Sequence, residues 1–212
     1  MDPKRPRGRP RSLEKAAAIL QAARDLFLHH GVEAVRIEDI AAVAGVSKMT
    51  VYANFADKAA MFEAIIDAES TAIEQAVVAL PGSASPVDQT LTHVGSALLT
   101  LLLRDDVMRL DRMLAGEMTR HPDLGQRFYQ AGPRRMWLLL TRIIQQAHTS
   151  GDLAVTDPQS AAEDLLALWL GMLPTQQRFG ATTAVTAAMI TRRAEHGVTI
   201  FMRAYGSIRA KR

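Results

Sequence analysis

The chain has 212 residues, 48% of them hydrophobic and 22% charged, and no cysteine, which excludes a disordered chain, disulfides, thiolate metal sites and cysteine nucleophiles. Its longest apolar run, 165–174, is about half of the roughly 20 residues that a membrane span needs, and no secretory-signal segment follows the N-terminus. We therefore expect a soluble cytoplasmic protein with no membrane partner, cofactor or metal. The net charge is +3, and the whole excess lies in the first eleven residues.

Residues 1–11 are expected to be a flexible basic arm, with five basic residues and one aspartate. Such an arm on a near-neutral body favours a polyanion, either nucleic acid or an anionic membrane surface, although a solvated tail is the alternative. Within it, Pro6-Arg7-Gly8-Arg9-Pro10 resembles the core of an AT-hook. Its extended backbone would let Arg7 and Arg9 reach along the floor of a narrow minor groove.

Helical periodicity dominates the rest of the chain and predicts an all-α fold. Ser12, Ser47 and Asp57 are placed to cap helices, and Gly31 and Gly45 to end them. The four helices predicted in this first part span about 12–30, 37–44, 47–55 and 57–80.

The second part is also predicted to be helical. Pro81-Gly82-Ser83 is the clearest break in the chain, and Ser85-Pro86 starts the next helix. The following segments are a helix over 106–120, a helix kinked or divided at Gly132-Pro133, a turn at 150–152, one helix over 157–179 and a last helix over 183–205.

The segment Ala44-Gly45-Val46-Ser47 joins two short helices with the spacing of a helix-turn-helix. Gly45 supplies the turn geometry, and Val46 can fill the angle between the helices. Ser47 caps the second helix, whose first turn can then point free N–H groups at an anion. The N-terminal residues of such a helix reach base edges in the major groove. From spacing alone, an ordinary helical hairpin is the alternative.

Many residues around this turn agree with a known pattern in order and spacing. They are Ile37-Glu38-Asp39-Ile40-Ala41, Ala44-Gly45-Val46-Ser47-Lys48, Thr50-Val51-Tyr52, Phe55, Asp57-Lys58 and Phe62. This stretch, about 12–65, resembles the TetR family of bacterial repressors. Residues 109–135 are also similar to the C-terminal domain of AefR-type members.

The resemblance implies a three-helix DNA-binding domain over 12–57 and a larger helical ligand-binding and dimerisation domain over 58–212. It also implies a bacterial homodimer that binds double-stranded DNA at a near-palindromic operator. Two recognition helices would then lie roughly 34 Å apart on successive major grooves.

Lys48, Met49 and Thr50 open the implied recognition helix. Lys48 can donate to guanine O6 or N7, or to a phosphate. Met49 stands where the family often has a small residue, so its side chain would either meet a thymine methyl group or block close approach. Thr50, Tyr52 and Asn54 can donate to phosphate oxygens, although Tyr52 can also pack on the core.

Two cations flank this unit. Lys58 begins the fourth helix, where its charge adds to the positive end of the helix dipole; a solvated lysine is the alternative. Arg36 stands where the family usually has Ser or Thr, and the loss of that cap costs about 1 kcal/mol unless another group substitutes. Arg36 either neutralises a phosphate beside that helix end or is exposed without a role.

The apolar residues between Leu165 and Leu173 cover most of a helix circumference, so one side needs a partner beyond the domain core. A twofold-related copy can supply it. A second candidate seam in the last helix consists of Val198, Phe201, Met202 and Tyr205. The resemblance implies a four-helix dimer interface from these last two helices.

A cavity for a small-molecule effector is expected among the helices of the second domain, because Met and Trp suit an adaptable apolar ligand. Each candidate can instead simply pack in the core, and Glu117 would either orient a polar ligand group or pair with an arginine. The candidates are Leu98, Leu102, Met113, Glu117, Phe128, Trp137, Leu165 and Trp169.

No phosphate-binding loop, nucleophile elbow or zinc-protease motif is present, and His29-His30 are adjacent, so their rings point to different sides of a helix. We therefore expect no catalytic residues and no enzyme. The predicted function is a sequence-specific DNA-binding regulator, a repressor that a small apolar or amphipathic ligand releases from its operator. The alternative is a ligand-independent architectural DNA-binding protein, which the arm favours and the large helical domain opposes.

Overall fold

The computed structural model describes residues 11–78, 86–118, 122–181 and 185–207, and at 11, 12, 76–78, 110 and 112–117 it describes the helix but not the side chains. Over these ranges the chain is helical, and the described β pairing is a single bridge between Leu153 and Gly206. The helices are α1 (Arg11–His30), α2 (Ile37–Val43), α3 (Lys48–Asn54), α4 (Lys58–Val78), α5 (Val87–Leu102), α6 (Asp105–Met118), α7 (Pro122–Ala131), α8 (Pro133–Ser150), α9 (Pro158–Leu170), α10 (Leu173–Arg178) and α11 (Ala187–Tyr205). The predicted all-α fold is confirmed.

An N-terminal core joins α1, α2 and α3 to the start of α4. Ile19 and Phe27 of α1 pack with Ile40 of α2, Val51 of α3 and Phe62 of α4, and all five side chains are buried. The same cluster reaches α7, so the three-helix unit is continuous with the next part of the chain. α4 therefore belongs to the N-terminal core at its start and runs on into the second half of the molecule.

A second core lies between α5, α8, α9 and α11, with Trp169 of α9 at its centre. The indole fits between α5 and α11 because each of these helices has a glycine beside the ring, Gly95 and Gly197. Close approach of the three helices thus depends on two missing side chains. None of the described helices combines the length and the apolar character that crossing a bilayer would require.

Most helix boundaries follow local chemistry. The Asp57 carboxylate accepts from the Ala60 N–H at 2.6 Å, as predicted for a cap. The Asp157 carboxylate accepts from the Gln159 N–H at 3.0 Å, at the position where a helix is predicted to start. Gly132 separates α7 from α8, so the predicted division there is confirmed.

The prediction of one helix over 157–179 is wrong, because the chain turns at Gly171 between α9 and α10. Gly171 has φ +47°, a left-handed conformation that favours glycine. Arg193 of α11 donates from Nε to the Trp169 carbonyl at 2.9 Å, and a Cβ on Gly171 would lie 1.6 Å from its guanidinium. Arg193 therefore occupies the space that a Cβ at this position would need.

Candidate DNA-binding surface and effector cavity

The turn between α2 and α3 has the geometry of a helix-turn-helix. Gly45 has φ +65°, and the Val46 N–H donates to the Ala41 carbonyl at 3.0 Å. At the start of α3 the Ser47 hydroxyl accepts from the Thr50 N–H at 3.1 Å and lies 2.9 Å from the Thr50 hydroxyl. The predicted cap is confirmed, and the Thr50 side chain is engaged with Ser47 in this DNA-free structure.

At the start of α2 another residue compensates for Arg36. The Arg36 backbone N–H donates to the Asp39 carboxylate at 3.3 Å, and the Asp39 N–H donates to the Arg36 carbonyl at 3.2 Å. The arginine side chain makes no cap and is exposed. The Asp39 carboxylate thus satisfies the Arg36 backbone N–H, the Arg36 carbonyl accepts from the Asp39 N–H in place of a side-chain cap, and the guanidinium stays on the surface.

The recognition helix presents one side to the core and the other to solvent. Val51 is fully buried, whereas Met49 is 83% exposed and Tyr52 is 50% exposed. Met49 and Tyr52 are three residues apart on one short helix, so they are neighbours on its surface and not scattered single residues. The leading edge of α3 is therefore open to a partner.

Lys48 is held by an acidic residue of α2. Its Nζ donates to the Glu38 carboxylate at 2.5 Å and lies 5.9 Å from the centroid of the Tyr52 ring. The hydrogen bond from Lys48 lowers the pKa of Glu38, and the same bond raises the pKa of Lys48. Both side chains are more than half exposed, so a phosphate or a base could replace Glu38 without moving the backbone.

Asn54 and Lys58 are engaged with the protein itself. Asn54 Nδ2 donates to the Thr50 carbonyl at 2.7 Å within α3. Lys58 Nζ donates to the Glu33 carbonyl at 2.7 Å and lies 3.9 Å from the Glu33 carboxylate, so Lys58 ties the start of α4 to the loop before α2. The candidate arm residues Arg7 and Arg9 lie outside the described residues. The sequence did not indicate that Glu38 pairs with Lys48 or Glu33 with Lys58, because the residues of each pair are ten or more positions apart.

A largely apolar cavity of about 360 Å³ lies where the two cores meet. Three of the candidate residues line it: Leu98 and Leu102 of α5 and Phe128 of α7. Met113 and Glu117 lie in α6, at positions whose side chains are not described. The volume falls within the range of small-molecule sites.

Three other candidate residues do not line this cavity. Leu165 and Trp169 are fully buried in the second core, where Trp169 is packed between α5 and α11. Trp137 is half-buried on the outer side of that core, and its indole N–H donates to the Gln159 carbonyl at 3.3 Å. Their helical spacing indicated burial correctly but not which neighbouring space they face.

Sequence reasoning missed the cavity wall that α1 and α4 form. Phe27 of α1 and Phe62 and Ile65 of α4 line it, together with polar residues including Arg24 and Glu69. The apolar residues were read as core because their spacing fits a buried stripe. A charged residue, Arg24, beside the buried side of α1 was the one feature of the sequence that could have indicated this wall.

Comparison with known proteins agrees with this arrangement. Residues 19–65 match the family model of the bacterial regulatory proteins, tetR family, and residues 89–207 match that of the AefR-like transcriptional repressor, C-terminal domain. The chain belongs to the TetR family. It is therefore similar throughout most of its length to transcriptional regulators.

Individual TetR-family relatives support the assignment. The chain is 34% identical over 154 residues to the HTH-type transcriptional regulator YdeS of Bacillus subtilis, which covers 70% of this chain and 74% of YdeS. A TetR-family regulator from Mesorhizobium loti has a TM-score of 0.81 at 27% identity, covering 93% of this chain and 100% of that one. The flavonoid-responsive regulator FrrA has a TM-score of 0.73 at 30% identity, covering 91% and 97%.

The seam predicted on the last helix of this TetR-family chain needs a correction. Val198 and Phe201 are buried in the chain's own core. Met202 and Tyr205 of the same stripe are only partly buried, and Tyr205 also lines the groove on the other side of the helix. The outward side of α11 presents His196, Ile200 and Ala204, which line a shallow groove against α9. An interface between copies on these two helices would use that outward side.

Proposed function

We propose that this TetR-family regulator is a cytoplasmic repressor that binds a near-palindromic operator as a homodimer and is released by a small apolar or amphipathic effector. The observation that carries the DNA-binding part is the exposed leading edge of α3, where Met49 is 83% exposed beside Lys48 and Tyr52. The edge follows a capped helix-turn-helix, the geometry in which a helix enters the major groove. We assign DNA binding to 12–57 and effector binding and dimerisation to 58–212.

Some residues of α3 would contact bases, and others would contact phosphates and so position the helix on the duplex. Lys48 would exchange Glu38 for a guanine or a phosphate, and Met49 would contact a thymine methyl group. Thr50 and Tyr52 would donate to phosphates, as Asn54 would with the N–H that the Thr50 carbonyl leaves free. These phosphate contacts fix the register of the helix on the duplex.

Cations on three other segments would add phosphate or groove contacts. Arg36 is exposed beside the start of α2 and is free to meet a phosphate. Lys58 would support the fold of the unit through Glu33 more than it would bind DNA directly. Arg7 and Arg9 of the basic arm would enter a neighbouring minor groove.

The effector part rests on the cavity between the two cores. Its lining is mostly apolar, and Leu98, Leu102 and Phe128 contribute to it. FrrA, which is similar in fold and 30% identical, is a flavonoid-responsive regulator, and a compound of that size and character would suit such a cavity. Effector binding that favours the wrong spacing of the two α3 helices needs a coupling of only about 1–3 kcal/mol for roughly 5–150-fold derepression.

Dimerisation would use the outward sides of α9 and α11, where Leu168, Ile200 and Ala204 lie. A twofold axis there would place two copies of α3 on one side of the duplex. Half-sites would then lie roughly 34 Å apart, one turn of DNA.

The experiment that tests the function is selection of genomic fragments by the purified full-length protein, followed by competition with random duplex DNA at several salt concentrations. A regulator should prefer one near-palindrome by about 10³-fold or more, whereas an architectural protein should show little preference. Addition of candidate apolar effectors should release the selected fragment. A protein that binds all fragments equally would contradict the proposal.

A further inference from the structure

The cavity is bounded on one side by the DNA-binding unit itself. Arg24, Phe27 and Leu28 of α1 line it beside Phe62 of α4. Phe62 connects the rings of α1, α4 and α7, since it lies 6.4 Å from Phe27 in an edge-on arrangement and 6.0 Å from Phe128 in a stacked one. A molecule in this cavity therefore contacts the helix on which the helix-turn-helix packs.

Arg24 is the cation of this wall. Its side chain is 25% exposed and forms ion pairs with Glu69 at 3.1 Å and Asp106 at 3.2 Å. Both ion pairs use the same terminal nitrogen, so the described hydrogen bonds leave Nε and the other terminal nitrogen without a partner. A guanidinium has five N–H groups in a planar fork, which suits a second, bidentate acceptor.

The two carboxylates beside Arg24 have another cation. Arg104 donates to the Asp106 carboxylate from Nε at 3.0 Å and from a terminal nitrogen at 2.5 Å, and it lies 3.6 Å from Glu69. The hydrogen bonds of Arg104 lower the pKa of Asp106, which stays ionised. If Arg24 turned toward a ligand, neither carboxylate would be left without a counter-charge.

We propose that Arg24 is the anchor for an anionic group of the effector, a carboxylate, sulfonate or phenolate oxygen, and that the apolar body of the effector fills the cavity. The assignment rests on the proposed effector role of this cavity and specifies its ligand chemistry. Because Arg24 belongs to α1, the bond joins the effector to the DNA-binding unit. Each bond that Arg24 transfers from Glu69 or Asp106 to the effector removes a link between that unit and the rest of the chain.

Arg178 of α10 is the competing cation in the lining. It pairs with Asp111 at 2.5 Å and is about half exposed, so its charge is satisfied nearer to solvent. The hydroxyl of Ser70, another polar group of the wall, already donates to the Ala131 carbonyl at 3.0 Å. Arg178 therefore provides a matched control for Arg24.

The test compares two fluorescent probes on the full-length protein without DNA: the sulfonate 8-anilinonaphthalene-1-sulfonate and its uncharged counterpart N-phenyl-1-naphthylamine. Arg24→Gln should weaken binding of the sulfonate by about tenfold, the value of a charge-assisted hydrogen bond, and change the neutral probe by less than about twofold. Glu69→Gln should strengthen sulfonate binding, because it removes a competitor for Arg24. Arg178→Gln should change both probes by less than about twofold.

Three results would overturn the proposal: no preference of the wild type for the sulfonate, equal weakening of both probes by Arg24→Gln, or loss of the preference in Arg178→Gln instead. The opposite directions expected for Arg24→Gln and Glu69→Gln separate anchoring from general damage, which would weaken binding in both. Operator binding of the same wild-type sample is measured in parallel. If operator binding persists while the probe test fails, the proposal that Arg24 anchors the effector is refuted and the proposed DNA-binding function is not.

Discussion

Replacing Gly197 with alanine should destabilise the protein, because Trp169 already occupies the space that the new methyl group needs. A Cβ on Gly197 would lie 2.6 Å from Cδ1 and 3.2 Å from Nε1 of the indole. Trp169 is 0% exposed, and the Cβ position of Gly95 on α5 lies only 2.5 Å from the same ring. The ring therefore has little room to move within the core.

Two opposing effects decide the magnitude. Alanine in the interior of a helix is favoured over glycine by roughly 0.5–1 kcal/mol. Overpacking a full core costs about 1–3 kcal/mol. Since the contact involves a rigid ring rather than the end of a flexible side chain, the cost should exceed the gain, with a net loss of about 1–2 kcal/mol. For a chain of this size each kcal/mol lowers Tm by roughly 2–4 °C.

Thermal unfolding at one fixed protein concentration measures the effect, because the stability of a dimer depends on concentration. Gly125→Ala is the matched control: its Cβ would meet the flexible Met118 side chain at 3.2 Å, so it should be neutral or stabilising. Trp169→Phe combined with Gly197→Ala should recover part of the loss, since the smaller ring leaves space. A stabilised Gly197→Ala would refute the packing argument.

Four further changes test other parts of the structure. Glu38→Gln should raise affinity for duplex DNA in gel-shift titrations, because it frees Lys48 and removes a negative charge facing the phosphates. Met49→Ala should leave Tm unchanged and alter base preference at one position of the selected sites by about 1–3 kcal/mol. Deletion of 1–11 should weaken DNA binding and flatten its salt dependence. Asp106→Asn should make the free energy of unfolding depend less on pH in the acid range. The lowered pKa of Asp106 contributes stability at pH values above the ordinary pKa of 3.8, and this stability is lost as the pH falls through the pKa of the folded state.

Each of these predictions has a control variant or a result that would contradict it. Glu63→Gln removes another exposed carboxylate, from α4, and should leave DNA affinity unchanged, so an equal rise would show a general charge effect. An unchanged salt slope after deletion of 1–11 would show that the arm takes no part. A melting temperature lowered by Met49→Ala would mean that this side chain packs within the fold. If the stability of Asp106→Asn changed with pH in parallel with that of the wild type, the pairing of Asp106 with Arg104 would not contribute to stability.

Sequence alone located the features that depend on neighbours along the chain. The caps at Ser47 and Asp57 and the turn at Gly45 follow from residue type and spacing, and all three are present. The break at Gly171 was missed because an isolated glycine in an apolar run is compatible with a helix. Arg193, which bonds the Trp169 carbonyl beside this turn, is distant in sequence.

Periodicity indicated burial but not the neighbour. Val198 and Phe201 form a regular stripe, and the same stripe fits a dimer seam or the chain's own core. Likewise Trp169 and Leu98 are both buried apolar residues, yet only Leu98 lines the cavity, because the tertiary packing of the helices decides which residues face it. Arg24, Glu69, Arg104 and Asp106 come together from three distant segments, and no sequence pattern marks them as a group.

Hydroxyl-radical footprinting of the full-length protein on its selected operator tests the central claim most directly. Two exposed α3 edges on one dimer predict two symmetric protected stretches whose centres lie one helical turn, roughly 34 Å, apart. Protection of a single stretch, or uniform protection without symmetry, would contradict a paired major-groove reading by α3.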